Sequence, residues 1–170
     1  MYKGLTQIYY GDGKGKTTAA LGQAIRCSGR DMKVLFIPFL KICDSGEYFA
    51  NLNIDIEFTS YEFGFWNSLN DSEKKLAREG AENKLSELYD KKNLYDMIIL
   101  DELLDAVKLG CLKKENVLLF LKNKPEKLNI VITGHCYDEE IFNFADCITE
   151  MKKIKHHYDF GVEAQIGIEK

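Results

Sequence analysis

Gly11-Asp12-Gly13-Lys14-Gly15-Lys16-Thr17-Thr18 stands between the run Gln7–Tyr10 and the stretch Thr17–Ser28. The run reads as a strand. The stretch carries Ala20, Leu21, Ala24 and Ile25 at helical spacing and reads as a helix that Gly29 stops. A strand entering a glycine-rich turn and leaving through a helix N-terminus is the setting in which such a loop cradles phosphate. Glycines let the backbone turn tightly and aim several N–H groups at one anion. The helix end adds partial positive charge. Lys16 offers a full charge to phosphate oxygens, and Thr17 a hydroxyl for magnesium. The spacing departs from G-x-x-x-x-G-K-T, because position 10 is Tyr10 and the leading glycine is Gly11. A loop one residue shorter predicts a somewhat different seating of the phosphates.

Strand and helix signals alternate beyond the loop. Lys33–Leu40 contains the apolar run Val34-Leu35-Phe36-Ile37, a strand buried on both faces. Ile54, Ile56 and Phe58 alternate with acids, as in a half-exposed strand. Asn70 or Asp71 caps a helix running to about Tyr89, with Glu73 placed to complete a capping box. Met97–Leu100, Asn129–Thr133 and Cys147–Glu150 read as strands, Leu112–Asn123 and Asp138–Ala145 as helices. This order predicts an α/β fold: a mostly parallel sheet with helices on both faces, P-loop NTPase-like and RecA-like. No linker or repeat interrupts it, so residues 1–170 read as one domain. The tail from Met151 reads as irregular.

A phosphate loop needs a second contact for its metal ion. Met97-Ile98-Ile99-Leu100-Asp101-Glu102 provides an apolar strand ending in two acids. Ligands of open parallel sheets bind at the carboxyl ends of strands. Asp101 and Glu102 therefore join Thr17 as candidate metal contacts, directly or through water. The alternative is a solvated helix start, where acids are also favoured.

Composition narrows the partners. The chain has 170 residues, 45% hydrophobic and 29% charged, with a net charge of −4. No basic run or face suggests nucleic acid. No apolar stretch is long enough to span a bilayer, and none at the N-terminus reads as a signal peptide, so the expected location is cytoplasmic. Five cysteines without a C-x-x-C pair read as reduced thiols.

Two further segments discriminate among P-loop proteins: Leu40-Lys41 followed by Gly46-Glu47, and the tail motifs Asp159-Phe160-Gly161-Val162, Ala164-Gln165 and Gly167-Ile168-Glu169. With the short loop and Ile132-Thr133-Gly134, they resemble the P-loop type of ATP:corrinoid adenosyltransferase, the BtuR/CobO/CobP family. The resemblance implies transfer of the 5′-deoxyadenosyl group of ATP to the cobalt(I) of a reduced corrinoid, with release of tripolyphosphate. It implies dependence on Mg2+ or Mn2+, a homodimer, and a reductase or flavodoxin-type electron donor.

The same resemblance places Gly11, Asp12, Gly13, Lys14, Gly15, Lys16, Thr17 and Thr18 around the triphosphate. It sets Thr17 and Glu102 at the metal, with Asp101 behind. Arg26 matches an arginine near the nucleotide, with a solvated helix arginine as the equal alternative. Phe63-Gly64-Phe65-Trp66-Asn67 matches a loop whose aromatics press on the lower face of the corrin, a role for Phe65 or Trp66. The alternative is an aromatic cluster packing the core. Asp12 stands where asparagine is common, and His135 where arginine is frequent. A P-loop ATPase or kinase acting at the γ-phosphate, or a non-catalytic ATP- and corrinoid-binding module, are the competing functions.

Overall fold

The computed structural model describes residues 3–42, 44–59 and 66–169. Strand β1 (Thr6–Tyr10) leads through the glycine loop into helix α1 (Lys16–Ser28). Strand β2 (Val34–Pro38), the short helix α2 (Gly46–Phe49) and strand β3 (Asp55–Ile56) follow. Helix α3 (Asp71–Lys91) precedes strand β4 (Met97–Asp101), helix α4 (Leu103–Lys108) and helix α5 (Lys114–Lys122). Strand β5 (Asn129–Gly134), helix α6 (Glu139–Phe142) and strand β6 (Cys147–Glu150) complete the order. The six strands form one sheet in the order β3-β2-β4-β5-β1-β6, with every pairing parallel. This is the expected α/β, P-loop NTPase-like arrangement.

Successive side chains of each strand point to opposite faces, so the apolar runs build two cores. On one face Val34, Phe36, Met97, Ile99 and Val131 meet Ala20, Ala24 and Cys27 of α1. The small alanines let α1 lie close to the sheet. On the other face Leu35, Ile37, Ile98, Leu100, Ile130 and Ile132 pack with Ala81, Leu85 and Leu88 of α3 and Val117 and Phe120 of α5. The α3 cap is Asn70: its Oδ1 accepts from the Glu73 N–H at 3.0 Å, and Glu73 Oε2 accepts from the Asn70 N–H at 2.8 Å. Both halves of the capping box are present.

The short elements differ from the sequence reading. Helices α2 and α4, of 4 and 6 residues, were not anticipated, because neither is long enough to show a helical period. Of the segment around Ile54 and Phe58, only Asp55–Ile56 pairs with β2. Among the described residues no helix is long and apolar enough to cross a membrane.

Strand direction positions the site. All carboxyl ends lie at one edge of a parallel sheet, so the loop after β1, the segment after β2 and the acids ending β4 converge there. β5 lies between β1 and β4 and adds Thr133 to the same edge.

Candidate active site

The glycine loop is held from one side by the tail. The Met151 N–H donates to the Tyr10 carbonyl at 2.7 Å, and the Gly13 N–H donates to the Met151 carbonyl at 2.7 Å. Gly11 has φ 111°, and a Cβ there would collide with the Met151 carbonyl oxygen. Only glycine satisfies both conditions. Asp12 turns its carboxylate onto the tail, where Oδ1 accepts from the Lys153 N–H at 3.0 Å. That bond holds the Asp12 carboxyl below the ordinary aspartate range. An acid at the second loop position is thus directed at backbone donors.

Lys16 Nζ donates to the carbonyls of Gly11 at 2.8 Å and Gly13 at 2.7 Å. Burial lowers its pKa, against the pull of Asp105, Asp12 and Asp101. Lys14 is engaged by the tail: Nζ donates to the Ile168 carbonyl at 2.9 Å and lies 3.0 Å from Glu169 Oε1. His157 Nε2 is 3.4 Å from the same carboxylate, and the His156 and His157 rings stack at 4.5 Å. Both histidines therefore serve the tail.

Asp101 is fully buried at the end of β4. Its carboxylate accepts from Thr17 Oγ1 at 3.0 Å and Thr133 Oγ1 at 2.6 Å, and pairs with Lys41 Nζ at 2.8 Å. Lys41 also reaches Glu47 Oε1 and Thr17 Oγ1, at 3.2 and 3.3 Å. Burial alone would lower the Lys41 pKa, but Asp101 outweighs it and raises it. The adjoining Glu102 has φ 58°, a left-handed conformation unusual for a residue with a side chain. Its N–H donates to Thr133 Oγ1 at 2.8 Å, which holds it there. Such strain is found where the surroundings over-determine a functional position. Burial, reinforced by Asp101, pushes the Glu102 carboxyl up to about 7.

Thr133 is followed by Gly134, where a Cβ would strike the Leu104 side chain. His135 then meets Asp105, whose Oδ2 accepts from the His135 N–H at 2.9 Å and lies 3.0 Å from Nδ1. Burial pushes the Asp105 carboxyl up, but these contacts outweigh it and hold it below its usual range. A cleft of about 600 Å³ joins these groups, walled by Lys16, Thr17, Lys41, Glu102, His135 and the tail residue Glu169. Ligand sites commonly enclose roughly 300–1,000 Å³.

Thr17, Asp101 and Glu102 offer a hydroxyl and two carboxylates, all hard oxygen donors. Among the described residues no set of three or more His, Cys, Asp or Glu side chains forms a metal cage. The combination suits Mg2+, which favours one or two carboxylates together with substrate phosphates.

The loop residues Gly11 to Thr18 and the acids Asp101 and Glu102 thus lie together. Arg26 does not join them: it is exposed in the last turn of α1 and is not among the residues walling the cleft. Phe63, Gly64 and Phe65 lie outside the described residues. Trp66 is 9% exposed and packs in the core cluster with Phe39 and Leu69, with the Arg78 guanidinium 5.5 Å from its ring centre. Trp66→Ala is therefore expected to destabilise the fold by about 3–5 kcal/mol, as large-to-small core changes do. A denaturant melt with unchanged stability would remove Trp66 from the core.

A sequence profile of the family ATP:corrinoid adenosyltransferase BtuR/CobO/CobP matches residues 2–169. The chain belongs to this family. It is 35% identical to the corrinoid adenosyltransferase of Escherichia coli (strain K12) over 170 residues, covering 98% of this chain and 86% of the relative. It is 33% identical to the corrinoid adenosyltransferase CobA of Salmonella typhimurium, covering 98% and 86% of the two chains. It is 29% identical to the corrinoid adenosyltransferase of Pseudomonas aeruginosa, covering 98% and 84%. Adenosyl transfer from ATP to a corrinoid is the reaction of the family.

Lys41, Glu47, Thr133 and Glu169 stand in the motifs that carry the resemblance but have no role assigned there, and Asp105 is not singled out at all. Lys41 and Thr133 follow or end buried strands at the carboxyl edge, a signal that strand polarity alone provides. Asp105 sits in the short helix α4, and Glu169 reaches the loop from the far end of the chain. No local pattern announces either contact.

Proposed function

We propose that the chain transfers the 5′-deoxyadenosyl group of ATP to the cobalt(I) of a reduced corrinoid and releases tripolyphosphate. The observation that carries this reading is the convergence of Lys16, Thr17 and Glu102 on one cleft, with Asp101 buried behind Thr17, in a chain of this family. The cobalt(I) electron pair forms the bond to C5′ as the C5′–O bond breaks, and the bonding electrons leave on the tripolyphosphate oxygen. No proton need be abstracted, so no general base is required. The hard chemistry belongs to the corrinoid, and the protein supplies orientation and charge.

Each residue then has a plain task. Loop N–H groups and Lys16 hold the triphosphate that becomes the leaving group. Thr17 and Glu102 hold Mg2+ or Mn2+, with Asp101 behind them; the ion supplies positive charge to the departing phosphates. The aromatic segment that carries Phe65 and Trp66 meets the lower corrin face, and Trp66 itself packs in the core cluster. This reading also carries a cytoplasmic homodimer of a single-domain chain, supplied with electrons by a reductase or flavodoxin-type donor.

The test is an anaerobic reaction with ATP, Mg2+ and chemically reduced cobalamin, following the visible spectrum and phosphate products together. A light-sensitive adenosyl–cobalt product with stoichiometric tripolyphosphate supports the proposal. ADP and orthophosphate without a cobalt–carbon bond would replace it with γ-phosphate chemistry.

Glu102 gives this function a pH signature. Protonated up to about pH 7, it must lose its proton to meet a metal ion. The affinity for Mn2+–ATP is expected to fall about tenfold per pH unit below that point. The Glu102→Gln variant should bind more weakly and lose the slope, as calorimetry at several pH values would show. Metal-free stability takes the opposite sign. The raised pKa favours the folded state when Glu102 is neutral, so its contribution is full below about 4.5 and is lost as pH rises through about 7.

A further inference from the structure

We propose that Lys41 is a tethered counter-ion at the metal position, which keeps a divalent ion out of the nucleotide-free protein and yields when the triphosphate arrives. The ammonium contacts two of the groups assigned to the metal: it lies 2.8 Å from Asp101 Oδ2 and 3.3 Å from Thr17 Oγ1. Its other partner is Glu47, at 3.2 Å. Backbone geometry delivers it there. Pro38 is in register with Asp101, and the Phe39 N–H donates to the Asp101 carbonyl at 3.0 Å, which carries the chain across the end of β4. α2 brings Glu47 up from the other side.

The physical need is clear. A fully buried carboxylate is costly without a cation or several donors, and Thr17 and Thr133 give Asp101 hydroxyls but no charge. Lys41 supplies the charge. A divalent ion approaching alone must displace an ammonium already paired with Asp101 and Glu47. An arriving triphosphate offers that ammonium other anionic oxygens, and Asp101 is then free to serve the ion. Lys41 is thus a positioning residue that orders binding, nucleotide before or with metal.

The inference rests on the metal assignment of Thr17, Asp101 and Glu102, and the test separates the two. Mn2+ binding is read by electron paramagnetic resonance on the full chain, with and without tripolyphosphate. The wild type should bind Mn2+ weakly alone and at least tenfold more tightly with tripolyphosphate. Lys41→Gln should bind Mn2+ alone at least tenfold more tightly than the wild type, while Lys41→Arg should not. Equal or weaker Mn2+ binding by folded Lys41→Gln overturns the role of Lys41. No Mn2+ binding by the wild type even with tripolyphosphate overturns the metal assignment itself. If Lys41→Gln fails to fold, the wild-type melt decides. Millimolar Mn2+ alone should then raise Tm far less than Mn2+ with tripolyphosphate, and an equal rise overturns the proposal.

Discussion

Lys16→Ala is expected to lower ATP affinity at least a hundredfold, about 3 kcal/mol or more. That is the usual scale when one partner of a desolvated charged pair is removed. Lys16 is half-buried at the start of α1, and its ammonium is already folded over the loop, bonded to the Gly11 and Gly13 carbonyls. A phosphate group entering the loop would meet it in place. The fold should survive, because the variant removes two hydrogen bonds to loop carbonyls and leaves the two cores of the sheet intact. The loss of folding stability should stay near 1–2 kcal/mol. Lys14→Ala is the comparison, since its ammonium is already paired with Glu169 and the Ile168 carbonyl. Its effect on ATP affinity should be several times smaller. Calorimetry showing unchanged affinity for Lys16→Ala would refute the phosphate assignment of the loop.

The contrast between Lys16 and Lys41 shows what a sequence discloses. Gly11 to Thr18 is legible because strand, loop and helix are contiguous, and each local preference agrees with the others. Met97 to Glu102 is legible for the same reason: four apolar residues make a buried strand, and two acids at its end demand partners. Asn70 and Glu73 announce their helix through a pairing three residues apart. Lys41 shares a motif with Glu47, but its partners Asp101 and Thr17 are gathered from two other elements by sheet order, and no spacing within the chain encodes that meeting. Asp105 with His135 and Lys14 with Glu169 are hidden in the same way.

Trp66 illustrates a different limit. An aromatic ring serves equally well in a core or against a flat ligand. The neighbouring Phe65 does not settle the choice, whereas three-dimensional packing with Phe39 and Leu69 gives the ring its surroundings. For Arg26, a helix position fixes neither face nor partner until the packing of α1 is known. α1 turns its alanines to the sheet and leaves Arg26 exposed.

Asp101→Ala should cost folding about 3–5 kcal/mol, which for a chain of this size lowers Tm by roughly 10 °C. The carboxylate is fully buried and gathers Thr17, Thr133 and Lys41. Alanine leaves a half-buried ammonium with Glu47 as its remaining anion, and strips the Thr133 hydroxyl of an acceptor. Thr133 in turn steadies the strained backbone of Glu102, so the damage should spread to the neighbouring acid. The origin of the cost can be tested by a double-mutant cycle. If the stranded ammonium is the main penalty, removing it should return part of the stability. Asp101→Ala with Lys41→Met should therefore be more stable than the sum of the two single changes predicts, by about 1–3 kcal/mol for groups in direct contact. Strict additivity in denaturant melts would mean that Lys41 and Asp101 do not interact in solution. The tethered counter-ion would fall with that result, while the loop assignment tested by Lys16 would stand untouched.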